Sequence, residues 1–189
     1  MKTTNIMIVG VGGQGTLLAS RILGNAVISE GYDVKVSEGH GMSQRGGSVV
    51  TYVKFGESVA SPIIGRGEAD IILAFELLEA YRALPYLREG GRIIVNTQTI
   101  DPMPVITGAA SYPEDIAGKL AARASVTAID ALSLAKEAGN ARAVNVVLIG
   151  LMARNTQIPY DVWMQTLKAT VPPKFIDANV KAFDLGYNH

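Results

Sequence analysis

Hydrophobic positions recur along this chain with two periods, and the switching between them lays out its elements. Short apolar runs fall at residues 5–9 (NIMIV), 70–75 (DIILAF) and 92–96 (RIIVN). Runs of this length, bounded by Gly, Asp or Asn, predict strands buried on both faces. DVKVS at 33–37 alternates like a strand, SVVTYVKF at 48–55 is β-branched and aromatic, and SVTAID at 125–130 supplies a sixth candidate. Between these runs the period lengthens. Residues 13–29 carry Leu17, Leu18, Ile22 and Val27 as a helical stripe, and 76–87, 113–124 and 131–138 also read as helices, the last stopping at Gly139. Helical stretches at 142–155, 159–170 and 174–185 close the chain. Pro159 suits a first helical turn, and Pro172–Pro173 ends the helix before it. Residues 96–112 (NTQTIDPMPVITGAASY) read as a long loop or hairpin. Strands alternating with helices predict an α/β fold: a Rossmann-like, doubly wound, mostly parallel sheet with C-terminal helices, spanning residues 1–189 as one domain without repeats or linkers.

Composition narrows the chemistry. Hydrophobic residues make up 48% and charged residues only 18%, against roughly 25% in ordinary soluble domains. A partner covering part of the surface and a slightly greasy monomer both fit that figure. Seventeen basic and 17 acidic side chains cancel, so the basic footprint of a nucleic-acid binder is missing. Cysteine is absent, which excludes disulfides, thiolate nucleophiles and thiolate-held zinc or iron–sulfur clusters. With only His40 and His189 as histidines, no metal site built by this chain alone is expected. The N-terminal apolar run is too short for a secretory signal, and the longest apolar stretch, Ala143–Ala153, is about half a bilayer span. A soluble, cytoplasmic protein without membrane contact is expected. The helix at 141–155 is apolar nearly all round, so it faces either the core or a partner, and Gly150 and Ala153 would admit another backbone.

Two glycine-rich stretches carry the candidate chemistry. Gly10, Gly12 and Gly15 of GVGGQG follow the first strand and open the first helix. The first glycine permits a tight turn, the second a close approach of phosphate, the third helix–strand packing. The helix start offers N–H groups and a positive dipole end to an anion. Glu38 lies 23 residues past Gly15, after the second predicted strand, which leaves a nicotinamide or flavin dinucleotide open beside a purely structural corner. The second stretch, Ser37–Val50, sets Glu38, His40, Ser43, Gln44 and Arg45 among Gly39, Gly41, Gly46 and Gly47. In a doubly wound sheet it should leave the carboxyl end of the second strand beside the glycine turn, where ligands bind; a solvated surface loop is the alternative. Arg45 could meet a phosphate or carboxylate, or pair with Glu38. No base adjoins Ser43, and no catalytic residue is assigned. Asp70, Glu76 and Asp130 flank strand ends and read as caps or turn residues.

GVGGQG, GMSQRGGSVV, ADIILAFELLEAYRALPYLREGG and AIDALSLAKEAGNARAVNVVLIG, in that order, resemble the gamma-type domain of 2-oxoacid:ferredoxin oxidoreductases over nearly the whole chain. Gln44-Arg45-Gly46-Gly47 and ALSLAKEAGN are the most specific parts. HGMSQRGG at 40–47 stands where members acting on pyruvate or 2-oxoglutarate tend to carry Gly-Pro-Glu before the Arg-Gly, which points to the aryl-pyruvate branch. The resemblance implies a small subunit, inactive alone, of an enzyme that decarboxylates a 2-oxoacid oxidatively to an acyl-CoA and reduces ferredoxin. It implies thiamine diphosphate and iron–sulfur clusters on a large partner subunit, coenzyme A as co-substrate, ferredoxin met through the complex, and a glycine turn without a nicotinamide. Gly10, Gly12, Gly13, Gln14, Gly15 and Thr16, with Ser43, Gln44, Arg45, Gly46 and Gly47, are then the candidate site for coenzyme A phosphates. The isolated chain could pair with itself through the surface its partner covers. A pyruvate or 2-oxoglutarate gamma subunit, a free-standing NAD(P)-binding oxidoreductase and a ligand sensor are the rival readings.

Overall fold

The computed structural model describes residues 3–39 and 47–189. All six predicted strands form: β1 (Thr4–Val11), β2 (Asp33–Glu38), β3 (Ser48–Gly56), β4 (Ala69–Ala74), β5 (Leu87–Asn96) and β6 (Ser125–Ile129). They make one sheet in the order β2-β3-β1-β4-β5-β6. β1, β4, β5 and β6 pair in parallel, while β3 runs antiparallel to both β1 and β2. β3 is thus the one reversed strand of a mostly parallel sheet. It stands between β1 and β2, so the second strand of the chain lies at the sheet edge rather than beside the first. The connection between β2 and β3 is too short for the helical crossover that a parallel pair needs, and an antiparallel return follows.

The helices cover both faces, as a doubly wound sheet requires. These are α1 (Thr16–Ser29), α2 (Leu77–Ala83), α3 (Met103–Ile106), α4 (Ile116–Ala121), α5 (Ala131–Glu137), α6 (Val144–Ala153), α7 (Tyr160–Thr170) and α8 (Ile176–Tyr187). Alternation along the central strands divides their side chains between two cores. Ile6, Ile8, Leu73 and Ile94 pack with Ile22 and Leu23 of α1, most of α6, and Trp163 and Phe183 of α7 and α8. Met7, Val9, Ile72 and Val95 pack with Leu78 of α2 and Ile116 and Leu120 of α4. Every residue from Asn145 to Ala153 is buried, which assigns the apolar helix to the core. A Cβ on Gly150 would stand 2.1 Å from the Phe183 carbonyl oxygen, and one on Gly186 would stand 1.9 Å from that of Val147. The backbone that comes close to α6 is therefore that of α8.

Tyr160 closes this layer. Its ring packs edge-on to Phe183 and Tyr187, and its hydroxyl donates to Asp184 Oδ1 at 2.6 Å. That hydrogen bond, with burial second, pushes the phenol up to about 12. The folded value lies above the ordinary value of about 10. The linked stability is therefore complete below about pH 10 and is lost as pH rises towards about 12. Urea midpoints taken at about pH 9 and about pH 11 should fall further for the wild-type chain than for Tyr160→Phe.

Candidate functional site

The carboxyl ends of β1 and β4 lie side by side, and the chain leaves them in opposite directions, into α1 and α2. This is the switch point at which open α/β sheets bind ligands. The glycine turn fills the β1 side. Gly13 and Gly15 adopt left-handed backbone, with φ of +94° and +84°, a region that favours glycine. Gly10 is needed for space: a Cβ there would lie 2.9 Å from Gln14 Oε1 and 3.1 Å from Phe75 Cβ. Gln14 folds back over the turn. Its Oε1 accepts from Val11 N at 2.7 Å, and its Nε2 donates to the Phe75 carbonyl at 3.1 Å, tying β1 to the end of β4. Gln14 therefore shapes the turn through backbone contacts. No side chain caps α1, so its first turn is available to an anion. Thr16 is buried at the start of that turn, and Asn145 of α6 packs against Gly15 from behind, its Nδ2 2.6 Å from where a Cβ would be.

The second glycine-rich stretch is described only at its two ends. Gly39 N donates to the Val50 carbonyl at 2.8 Å, and Gly12 N to the Gly47 carbonyl at 3.0 Å. The structure thus brings Gly47 to the glycine turn. His40, Ser43, Gln44, Arg45 and Gly46 lie outside the described residues, and so does the expected pairing of Arg45 with Glu38. Glu38 ends the edge strand and accepts from Ser20 Oγ at 3.1 Å. In a dinucleotide fold the acid that meets the ribose ends the strand next to β1. Here β3 occupies that place, which moves Glu38 one strand spacing, about 5 Å, further out. The geometry therefore opposes the nicotinamide reading.

Two buried carboxylates stand on the β4 side: Glu76, which the sequence marked only as a cap or turn residue, and Glu79, which it did not single out. Glu76 is 1% exposed and Glu79 4%. Glu76 caps α2 by accepting from Glu79 N at 2.9 Å, and it also accepts from Ile100 N at 3.1 Å and from the Tyr112 hydroxyl. That hydroxyl in turn accepts from Leu78 N at 3.1 Å. Burial, with the hydrogen bond to Glu76 second, pushes the Tyr112 phenol well above its ordinary range. Glu79 accepts from Ser48 Oγ at the start of β3 and from Arg82 at 2.6 Å. The first turn of α2 therefore fixes two neighbours of the glycine turn: the start of β3 and residues 97–112, hereafter the strap. The strap is a loop with one short helix, α3, and not a hairpin. Gln98 at its start lies 3.4 Å from Gln14, Oε1 to Nε2. No local pattern could have revealed a carboxylate bound to a tyrosine 36 residues away. Asp130 caps α5, as its position suggested; its bonds from the Ser133 hydroxyl and N–H hold the carboxyl below the usual range. Asp70 caps no helix and instead accepts from Asn5 N at 2.8 Å and pairs with Arg88 at 2.5 Å.

A second cleft, lined by Thr4, Tyr32, Asp70, Arg88, Arg92 and Asn155, opens at the amino ends of the strands. Arg88 is paired with Asp70 there, and Arg92 donates to Asn155, so both cations already have partners within the chain. Among the described residues no group of three His, Cys, Asp or Glu side chains could hold a metal ion, and no helix is long and apolar enough to cross a membrane.

Comparison with known proteins agrees with this architecture. The family model described as pyruvate ferredoxin/flavodoxin oxidoreductase matches residues 5–189. Indolepyruvate oxidoreductase subunit IorB of Thermococcus kodakarensis is 45% identical, with 98% of this chain and 95% of that one aligned. Ketoisovalerate oxidoreductase subunit VorA of Methanothermobacter marburgensis is 30% identical over 98% of this chain but only 36% of its own length. The fold also matches the crystal structure of a keto/oxoacid ferredoxin oxidoreductase gamma subunit from Geobacter sulfurreducens, with a TM-score of 0.73 and 24% identity, covering 98% and 96% of the two chains. With nearly its whole length matched, this chain belongs to the pyruvate ferredoxin/flavodoxin oxidoreductase family.

Proposed function

We propose that this chain is the small subunit of an indolepyruvate-type 2-oxoacid:ferredoxin oxidoreductase. The observation that carries the reading is the end-to-end similarity, at 45% identity, to an indolepyruvate oxidoreductase subunit of nearly the same length. In the overall reaction the bond to the carboxylate breaks and carbon dioxide leaves. The electron pair left on the carbonyl carbon passes to ferredoxin, and that carbon bonds to the coenzyme A sulfur, whose proton is released. Thiamine diphosphate supplies the electron sink for such a cleavage. A chain without cysteine has no thiolates for the iron–sulfur clusters that carry the electrons away. The clusters therefore belong on the larger subunit, and the thiamine diphosphate that feeds them electrons would sit there with them.

The part left to this chain is binding and orientation. The glycine turn and the open first turn of α1, which begins at Thr16, fit an anion: the N–H groups of that turn have no side-chain cap, and the helix dipole favours negative charge there. Gln14 keeps the turn in shape, and Gly47 closes one flank. Arg45, two residues before Gly47 in the sequence, would supply a guanidinium for the same phosphates. These groups would hold the phosphates of coenzyme A while its thiol reaches the partner.

Co-expression with the large subunit tests the reading. Co-elution on a sizing column, with dye reduction by indolepyruvate that requires coenzyme A, is the expected result. No co-elution, together with NADH binding by the chain alone, would overturn it. A charge placed at the turn tests the phosphate site. Gly13 is exposed, and a Cβ there meets nothing within 4 Å, so Gly13→Ala and Gly13→Asp both fit the space at this left-handed position and differ in charge. In the complex, Gly13→Asp should raise the KM for coenzyme A about tenfold over Gly13→Ala, the effect of an unfavourable charge worth about 1–2 kcal/mol at a helix start. The KM for indolepyruvate should not move. Equal coenzyme A values for the two variants would remove the phosphates from this turn.

A further inference from the structure

The strap is long, exposed and unusually apolar. Met103 and Ile106 are 63% and 65% exposed, and Asp101 is the only charged residue between Thr97 and Tyr112. Yet the segment is built rather than slack. Leu77 N donates to the Gln98 carbonyl at 3.1 Å, and Ile100 N and the Tyr112 hydroxyl both end on buried Glu76. Within the strap, Val105 N, Ile106 N, Thr107 N and Gly108 N close its single helical turn. A fixed apolar prominence on a soluble chain marks an interaction site, and low charge with Met present matches the composition of interface cores. Leu17 and Leu132, 48% and 37% exposed, begin α1 and α5 at the same carboxyl edge.

We propose that the strap is the surface on which the larger, catalytic subunit docks, with Met103 and Ile106 as its anchors. The inference rests on the small-subunit reading and adds the face that is used. Two observations select that occupant. The strap is continuous with the candidate coenzyme site through the Gln14–Gln98 contact, and a coenzyme whose phosphates sit at the glycine turn while its sulfur reacts on the other subunit requires that subunit at this edge. In addition, the ketoisovalerate relative carries a counterpart of this whole chain within a polypeptide nearly three times as long, so there the domain is joined to further oxidoreductase chain.

The test measures binding of the immobilised large subunit by the wild-type chain, by the double variant Met103→Asp/Ile106→Asp, and by Ile28→Asp/Ile63→Asp. The last pair is exposed to a similar degree, at 57% and 56%, but lies away from the carboxyl edge. Circular dichroism melts establish that each variant is folded; both pairs are at the surface, so their folds should persist. Loss of about tenfold or more in affinity for the strap variant, with the control pair binding like wild type, is expected. Undiminished binding by the strap variant, or an equal loss in both pairs, would overturn the proposal while leaving the small-subunit reading standing. A strap variant that converts a self-associating chain to monomer without changing large-subunit binding would give the face to a second copy instead. A wild-type chain that does not bind the large subunit would overturn the underlying reading, and the docking face with it.

Discussion

Replacing Gly186 with alanine is expected to destabilise the chain by about 3 kcal/mol, at the upper end of ordinary overpacking costs. Helix propensity alone points the other way, because alanine in a helix is favoured over glycine by about 1 kcal/mol. Packing decides the sign. The new methyl carbon would stand 1.9 Å from the Val147 carbonyl oxygen, 2.8 Å from its carbon and 3.1 Å from Leu151 N. All three atoms are backbone, so no rotamer change relieves the overlap, and α6 and α8 must separate by more than an ångström. That movement loosens the layer in which Trp163 and Phe183 are fully buried. Gly150→Ala meets the Phe183 oxygen at 2.1 Å and should behave alike. Gly24 supplies the counter-experiment: it lies in α1, where a Cβ would meet nothing within 4 Å, so Gly24→Ala should stabilise by about 0.5–1 kcal/mol. Urea unfolding of the three variants checks both signs. For a chain of this size, a loss of 3 kcal/mol corresponds to a fall of about 6–12 °C in Tm. A Gly186→Ala chain as stable as wild type would mean that α6 and α8 pack further apart than the structure places them.

How much of this was legible in the sequence divides along physical lines. Strands and helices were, because each is written in a local period: NIMIV and DIILAF can hardly be anything but buried strands, and Glu76 and Asp130 do cap the helices that follow. The order of the strands was not. β3 carries the same apolar pattern whether it stands beside β1 or at the edge, and only the short connection after β2 hinted at an antiparallel return. The second glycine-rich stretch was expected beside the glycine turn, and at Gly47 it is. Gln14 was legible only as a member of the candidate phosphate turn, and its amide also holds Val11 and Phe75. That exchange is invisible in a linear pattern, because the Phe75 partner lies 61 positions away. The same holds for α6: uniform apolarity indicates burial but not against what, and the answer lay in Gly186, far along the chain. Glu79 and Ser48, joined across 31 positions, left no local trace either.

Removing the Glu76 carboxylate is expected to have the other large effect, and to have it at one place. The side chain is 1% exposed and accepts from three donors: Glu79 N on one oxygen, Ile100 N and the Tyr112 hydroxyl on the other. Glu76→Ala deletes the α2 cap, worth about 1 kcal/mol, and strands buried donors at about 1–3 kcal/mol each where water cannot reach them. A total of about 3–7 kcal/mol follows, towards the lower end because Ile100 and Tyr112 are only partly buried. Glu76→Gln keeps the shape but offers one oxygen where two are used, and its amide would face an N–H donor on one side. It should cost about half as much. Because two of the three bonds hold the strap, the damage should be local before it is global. In Glu76→Gln, hydrogen exchange at Ile100 N should accelerate, while the amides of Ile72 and Ile94 in the central strands stay protected. If the strap is the docking face, the same variant should bind the large subunit more weakly even at temperatures where its core is intact, because the partner would then have to order the segment it binds. Exchange at Ile100 unchanged from wild type would show that the strap keeps its place without the carboxylate, and would leave Glu76 as a helix cap alone.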